Sequence, residues 1–452
     1  MESTSLVSAR LSPQRAGQSP DLKIESSATG WTCTWNGGKL DVRKPAILAE
    51  RNGVLCVSRG APRFASHSGN PAETWLSLFE SRGTQAPASV KGRYAVLVVD
   101  TKRNALTLAN DRLGIDPWCY ATEDGDIAVS DRANAVPLKR RTINAQAMFD
   151  YLYFHVIPSP VTIFREVLRM PPASLLRWEK GSPAIEAHWK PVFTEAPGMG
   201  LEEAKKRFLD IVRSGVEAEI SGAHTGSFLS GGTDSSTVSG MLCEVSGAPA
   251  RTYSMGFDAT GYDEMEYARI AAKHFKTDHH EYYVTPDDLL EGIPLVARSY
   301  DQPFGNSSAV PAWICASRAR ADGITKLLAG DGGDELFGGN SRYAKQRVFG
   351  WYETIPALLR SAVVEPISGL PGLGSIPLVK KGVSYVEQAS VPMPDRMEMY
   401  NLLHRLGIDA VFEPGFRRCV DTDSPGKLQR DTWAEVKNAS LVNRMLAFDW
   451  KY

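Results

Sequence analysis

The run Phe228-Leu229-Ser230-Gly231-Gly232-Thr233-Asp234-Ser235-Ser236 joins the end of an apolar strand to paired glycines, an acid and two serines. A strand that stops at such glycines and passes at once into a helix turns unpaired backbone N–H groups toward an anion at the positive end of the helix dipole. Glycine lets the backbone approach phosphate oxygens, and serine hydroxyls add donors. Asp234 would repel a phosphate, so its natural role is to hold a Mg²⁺ that bridges phosphate oxygens. The pattern predicts a pyrophosphate-binding loop and nucleotide chemistry. Taken alone, it also fits an ordinary strand-to-helix turn.

A second segment adds weight. Ile324 to Leu328 reads as a short apolar strand that ends in Ala329-Gly330-Asp331-Gly332-Gly333-Asp334-Glu335-Leu336-Phe337-Gly338-Gly339. Three acids among five glycines make a poor core and a good metal site. Parallel sheets bind ligands beyond the carboxyl ends of their strands, so two such loops on neighbouring strands face one crevice. In that arrangement Asp234 and Asp334 share one Mg²⁺.

Together these motifs resemble the asparagine synthetase family, ATP-pyrophosphatase ligases that make amides through an acyl-adenylate. Ser230 to Ser236 matches the family's SGGxDSS loop, and Gly330 to Gly339 matches its second signature. Between them, in order, lie Tyr253-Ser254-Met255-Gly256-Phe257, similar to the strand that flanks the adenine, Asp263-Glu264 before a helix from Tyr267 to Phe275, His279-His280-Glu281, and Asp301 to Ala309. The resemblance implies that Ser230, Gly231, Gly232, Ser235 and Ser236 bind pyrophosphate, that Asp234 and Asp334 hold Mg²⁺, and that Leu229, Met255, Gly256 and Gly330 contact adenosine. ATP and Mg²⁺ are the implied cofactors. Asp331 is implied as the residue that handles the incoming nitrogen, since the family's β-lactam synthetases carry a tyrosine there. Glu335 fits either the metal shell or a helix-start acid favoured by the dipole.

Upstream, residues 29 to about 190 alternate short apolar runs with turn residues, as in Tyr94-Ala95-Val96-Leu97-Val98-Val99-Asp100, which predicts antiparallel strands in a sandwich. Lys91 to Ala95, Asp111 to Pro117 and Val167 to Pro172 resemble landmarks of the family's N-terminal glutaminase domain, an Ntn-type fold. That domain's chemistry is expected to be lost. Its nucleophile is a cysteine exposed by Met removal, where this chain has Glu2. The Arg-Gly-Pro-Asp loop and Asn-Gly-Glu turn have no match either. Cys33 lies in a strand-like run and reads as a buried thiol.

Nitrogen then comes from ammonia or from an amine on the substrate. The expected function is an ATP-dependent, AMP- and pyrophosphate-forming amide ligase that activates a small carboxylate, aspartate or a related acid. The alternatives are a lactam or macrolactam synthetase acting on a substrate such as a peptide precursor, and a non-catalytic nucleotide-binding paralogue. The synthetase resemblance stops at Asp449-Trp450-Lys451-Tyr452, before a segment with a lysine that stabilises the adenylation transition state. The expectation is either a fragment of a longer protein or a member with little turnover.

Composition is compatible with such an enzyme. The 452 residues suffice for two or three domains. A net charge of −1 points to no nucleic-acid or membrane partner. No membrane-length apolar run or signal-peptide core occurs, so a cytoplasmic protein is expected. The resemblance allows a homodimer. The six cysteines stand singly, as reduced buried thiols rather than a zinc site or disulfide frame. His279 and His280 are adjacent on a strand and point to opposite faces. Lys139-Arg140-Arg141 reads as a solvated turn, and Trp313 and Cys315 as core residues of a helix.

The expected architecture is α/β. It has a flexible tail over 1–28, a degenerate glutaminase-like β-rich sandwich over 29–190, and a linker over 191–200. A parallel-sheet domain of the adenine-nucleotide α-hydrolase type occupies 201–452. This last domain opens on a helix from Leu201 to Glu219, with Leu201, Ala204, Phe208, Ile211 and Val212 on its buried stripe.

Overall fold

The computed structural model describes residues 5–12, 22–65, 69–195, 198–220, 224–258, 263–353, 355–356, 385–399 and 401–451. The chain forms two compact units. Unit 1 comprises Met1–Val192, Arg298–Gly305 and Phe412–Thr422; unit 2 comprises Phe193–Ala297, Asn306–Val411 and Asp423–Tyr452.

Unit 1 is a sandwich of two antiparallel sheets. The strands are β1 (Val7–Leu11), β2 (Lys23–Ser27), β3 (Gly30–Trp35), β4 (Gly38–Arg43), β5 (Ile47–Arg51), β6 (Val54–Arg63), β7 (Lys91–Asp100), β8 (Ala105–Asn110), β9 (Cys119–Glu123), β10 (Asp126–Ser130), β11 (Leu168–Arg169), β12 (Ser174–Glu179) and β13 (Ser182–Ala187). One sheet runs β11-β9-β10-β1-β4-β3-β2 and the other β13-β12-β8-β7-β6-β5. Alternate residues face inward, so Val7, Leu40 and Val129 of the first sheet meet Val57, Leu97, Leu108 and Trp178 of the second in one core. Helix α1 (Pro71–Arg82) covers the outer face of the second sheet through Trp75 and Leu76, and helix α2 (Ala145–Phe154) follows β10 in the chain.

The tail expected over 1–28 contains β1 and β2. Val7, Ala9 and Leu11 are buried while Ser8 and Arg10 are not, and Ala9 pairs with both Val129 and Leu40. Five alternating residues are too few to stand out against the Ser-, Pro- and Gln-rich sequence around them.

Unit 2 carries a four-stranded parallel sheet of β14 (Thr225–Phe228), β15 (Arg251–Phe257), β16 (Asp278–Val284) and β17 (Lys326–Leu328), in the order β16-β15-β14-β17. Helix α3 (Leu201–Glu219) precedes β14. Helix α4 (Thr233–Ser246) links β14 to β15, α5 (Met265–Phe275) links β15 to β16, and α6 (Pro286–Ser299) and α7 (Ala309–Ala321) lead from β16 to β17. Crossovers of this kind are what parallel pairing requires. The stripe that α3 buries is Val212 and Val216, continued by Ile220, against Met241 and Leu242 of α4. Leu201 and Ile211 are instead 70% and 61% exposed, and the burial follows the i, i+4 spacing of 212 and 216. Trp313 of α7 is likewise 38% exposed, whereas Cys315 is buried.

The stretch expected as a linker is partly built into unit 2. Phe193 packs against Tyr343 and Trp433, and the Glu195 carboxylate accepts from Ser440 N and Asn443 Nδ2. Among the described residues, no helix is long and apolar enough to cross a membrane.

Candidate functional site

The two glycine loops leave adjacent strands. Central β14 pairs with β17 through Ser227↔Leu328, so the loop after Phe228 and the loop after Leu328 emerge side by side at the carboxyl edge of the sheet. Their backbones then touch. A Cβ on Gly330 would stand 2.7 Å from the Asp234 carbonyl carbon and the Ser235 nitrogen, and one on Gly333 would stand 2.4 Å from Asp234 Oδ2. The first of these contacts is with backbone and leaves no room for a side chain at 330, and a side chain at 333 would have to displace the Asp234 carboxylate.

Within the first loop, Gly231 has φ +82°, and a Cβ there would strike the backbone of Tyr267 and Ala268 at 2.4 Å. The loop is therefore seated on the first turn of α5. Ser235 organises it: its Oγ accepts from Ser230 N at 3.1 Å, lies 2.9 Å from Ser230 Oγ and donates to the Gly232 carbonyl at 3.2 Å. Ser236 Oγ is buried and has no hydrogen-bond partner among the described residues. A buried hydroxyl without a partner is a donor awaiting an acceptor.

The second loop winds into α8 (Gly333–Phe337), a single turn held between Gly332 at φ +86° and Gly338 at φ +74°. Gly338 N donates to the Asp334 carbonyl at 2.8 Å, and a Cβ on Gly339 would lie 2.5 Å from Asp334 Oδ1. Asp331 is exposed at the turn between β17 and α8. Burial, then the carboxylates of Asp334 and Glu335, raise the Asp234 pKa above the usual aspartate range. The site thus holds carboxylates against their mutual repulsion, as a cation site does. Among the described residues, no three His, Cys, Asp or Glu side chains converge closely enough to hold a metal ion. Two carboxylates with phosphate oxygens completing the shell is the arrangement that suits Mg²⁺, and Asp234 and Asp334 fit it.

The residues expected near adenosine sit at the neighbouring strand ends. Leu229 is 1% exposed, its side chain packed on Met265 and Ala268 of α5, and its N–H donates to the Tyr253 carbonyl at 3.0 Å. Met255 packs toward Cys315 and Ile324, and Gly256 is buried where a Cβ would meet the Tyr283 ring at 2.8 Å. Sequence reasoning missed Ser254, whose Oγ donates to the Leu229 carbonyl and ties β15 to the first loop. Its place inside the Tyr253–Phe257 strand was the available signal. His279 and His280 take opposite faces: His279 Nδ1 lies 2.9 Å from Thr252 Oγ1, and His280 stacks on Tyr253.

Residues 208–452 match the asparagine synthase family, and residues 58–189 match the glutamine amidotransferase domain family. The first match covers more than half of the chain. The chain belongs to the asparagine synthase family. It is 30% identical over 308 residues to a putative asparagine synthetase [glutamine-hydrolyzing] 2 of Methanocaldococcus jannaschii, covering 65% of this chain and 58% of that protein. It is 24% identical over 402 residues to asparagine synthetase [glutamine-hydrolyzing] 1 of Bacillus subtilis, covering 86% of this chain and 60% of the relative. This asparagine synthase family chain thus spans less than two thirds of the length of these curated relatives. A solved glutamine phosphoribosylpyrophosphate amidotransferase from B. subtilis shares 10% identity at a TM-score of 0.26, over 73% of this chain and 85% of that one.

The thiols on the sandwich strands are inaccessible. Cys33, Cys56 and Cys119 are all buried. Burial, with Asp41 nearby, pushes the Cys33 thiol up to about 11, and burial pushes Cys119 up to about 12.

Proposed function

We propose that the chain is an ATP-dependent amide ligase that forms AMP and pyrophosphate, activating a small carboxylate for attack by ammonia or an amine. The observation that carries this reading is the contact of the two loops, with Asp234 of the first pressed against Gly333 of the second. That contact lets an anion and its metal be held from both sides at once. Gly231, Gly232 and the Ser230, Ser235 and Ser236 hydroxyls bind the pyrophosphate, with Ser236 Oγ gaining the acceptor it lacks. Asp234 and Asp334 hold Mg²⁺, which when bound supplies charge stabilisation for the departing pyrophosphate.

The substrate carboxylate attacks the α-phosphorus of ATP, the bond to the bridging oxygen breaks, and pyrophosphate leaves. An acyl-adenylate results. The backbones of Leu229, Met255, Gly256 and Gly330 line the adenosine side and keep the α-phosphorus in line with its leaving group. The amine then adds to the acyl carbon, and collapse of the tetrahedral oxyanion expels AMP. Exposed Asp331 takes the proton that the nitrogen loses.

The relatives' names include glutamine hydrolysis, a step that needs a thiol nucleophile. Burial disfavours the thiolate of Cys33, Cys56 and Cys119, which supports nitrogen delivered as free ammonia or as an amine carried by the substrate. The test is pyrophosphate release from Mg-ATP across a panel of carboxylates including aspartate, with Asp234→Ala alongside. Carboxylate-dependent release that the substitution abolishes supports the ligase and names its acid. Mg-ATP binding without release under any carboxylate favours a nucleotide-binding paralogue.

A further inference from the structure

The acidic loop hangs on a joint. Helix α8 has only five residues, and the glycines flanking it both adopt positive φ, so the segment that carries Asp334 has little of its own to fix its angle. The chain just beyond this joint is held firmly. Helix α9 (Ser341–Glu353) starts at a turn in which Asn340 Oδ1 accepts from Arg342 N at 3.0 Å and the Asn340 carbonyl accepts from Tyr343 N at 3.1 Å. Both of those residues reach one carboxylate. Tyr343 Oη donates to Asp449 Oδ2 at 2.5 Å, and Arg342 Nη2 lies 2.5 Å from the same oxygen.

Asp449 belongs to the helix Leu441–Lys451, and its side chain is 7% exposed. The same helix packs on α8, with Val442 and the Tyr343 ring each 4.0 Å from where a Gly338 Cβ would stand. Around the pair, Tyr343, Trp433, Met445 and Phe448 form a buried cluster. Glu335 is within electrostatic reach of both Asp234 and Asp449. The Arg342 guanidinium therefore neutralises an acid that would otherwise add to the repulsion across the metal loop.

We propose that Asp449 is a positioning residue for the site: through Arg342 and Tyr343 it locks the exit of the acidic loop, and thereby sets how well Asp334 meets Mg-ATP. Asp449 touches neither ligand nor metal in this scheme. Its influence runs along the chain from Tyr343 back to Asp334, nine positions away. The inference rests on the nucleotide reading above.

The experiment titrates Mg-ATP into the full chain, and ATP in excess chelator in parallel, for the wild type, Asp449→Asn, Tyr343→Phe and Leu446→Ala. Leu446 is buried in the same cluster and bonds to neither partner, so its truncation is a control for loss of packing alone. Asp449→Asn is expected to weaken Mg-ATP binding about tenfold, the worth of one charge-assisted hydrogen bond, with Tyr343→Phe weaker by less. Metal-free ATP binding should not change in either. Equal Mg-ATP affinity in wild type and Asp449→Asn overturns the inference alone. So does an equal loss in Leu446→Ala at matched melting temperature, since packing would then account for it. A wild type that binds no Mg-ATP overturns the nucleotide reading, and this inference with it.

Discussion

Asp234 and Gly333, ninety-nine residues apart, are in van der Waals contact, and the space that a methyl group on Gly333 would need is occupied by Asp234 Oδ2. Neither loop alone makes this contact; the pairing of β14 with β17 does.

Gly333→Ala therefore drives the Asp234 carboxylate from its place while leaving the sheet intact. The expected outcome is a fall of at least about tenfold in Mg-ATP affinity, with a stability loss of about 1–3 kcal/mol from overpacking. Calorimetric titration beside thermal unfolding separates the two effects. Unchanged affinity would mean that the loops do not act as one site.

The raised pKa of Asp234 has a sign. A carboxylate whose folded pKa lies above its unfolded value contributes stability that is fully present below the unfolded pKa and is lost as pH rises through the folded one. At neutral pH the charge is thus a burden on the ligand-free protein. Asp234→Asn is expected to raise the melting temperature at pH 7 and to abolish the added stabilisation by Mg-ATP. Its melting temperature should converge on that of the wild type toward pH 4. A mutant that melts lower at pH 7 would contradict this electrostatic account.

How much of this was open to sequence reasoning depends on range. The serine-glycine loop and the acidic turn are local patterns, each complete within about ten residues, and their meeting followed from the rule that parallel strands gather loops at one edge. Helix α3 was legible in extent from its period, yet which of its faces is buried depends on α4, so Leu201 and Ile211 were misassigned. Strand β1 was lost because its partners, β4 and β10, lie some 30 and 120 residues on, and five alternating residues carry little weight without them. The bond from Tyr343 to Asp449 spans 106 residues and has no sequence signature at all.

Thiol reactivity gives a further check. Burial holds Cys33 at about 11 and Cys119 and Cys315 at about 12, whereas Cys419 is exposed and Cys243 half-buried. In the native protein at pH 7.5, a disulfide reagent should react promptly with Cys419 and more slowly with Cys243. A glutamine-like electrophile should label none of Cys33, Cys56 and Cys119, as read by peptide mass. Rapid labelling of any of these three would restore the case for glutamine hydrolysis.

In unit 1, Asp301 accepts from Arg169 Nη2 at 2.8 Å and from Ala133 N at 2.7 Å. Nearby, Gln302 Oε1 accepts from Ile163 N at 3.1 Å, and Gly305 N donates to the His155 carbonyl at 2.9 Å. Asp301→Ala strips a largely buried guanidinium of its counter-charge and orphans an amide, so a loss on the order of 3 kcal/mol is expected. Denaturant unfolding measures it. A loss below about 1 kcal/mol would place the pair among ordinary surface contacts.

Unit 1 is assembled from three separate passages of the chain, and two of them, Arg298–Gly305 and Phe412–Thr422, lie within the span of the ligase family match. No single cut divides the gene into halves that each encode one whole unit. The sandwich unit therefore could not be deleted at one cut without unseating segments that lie inside the family match. Persistence of the sandwich then follows from how the chain is threaded, whatever activity it carries.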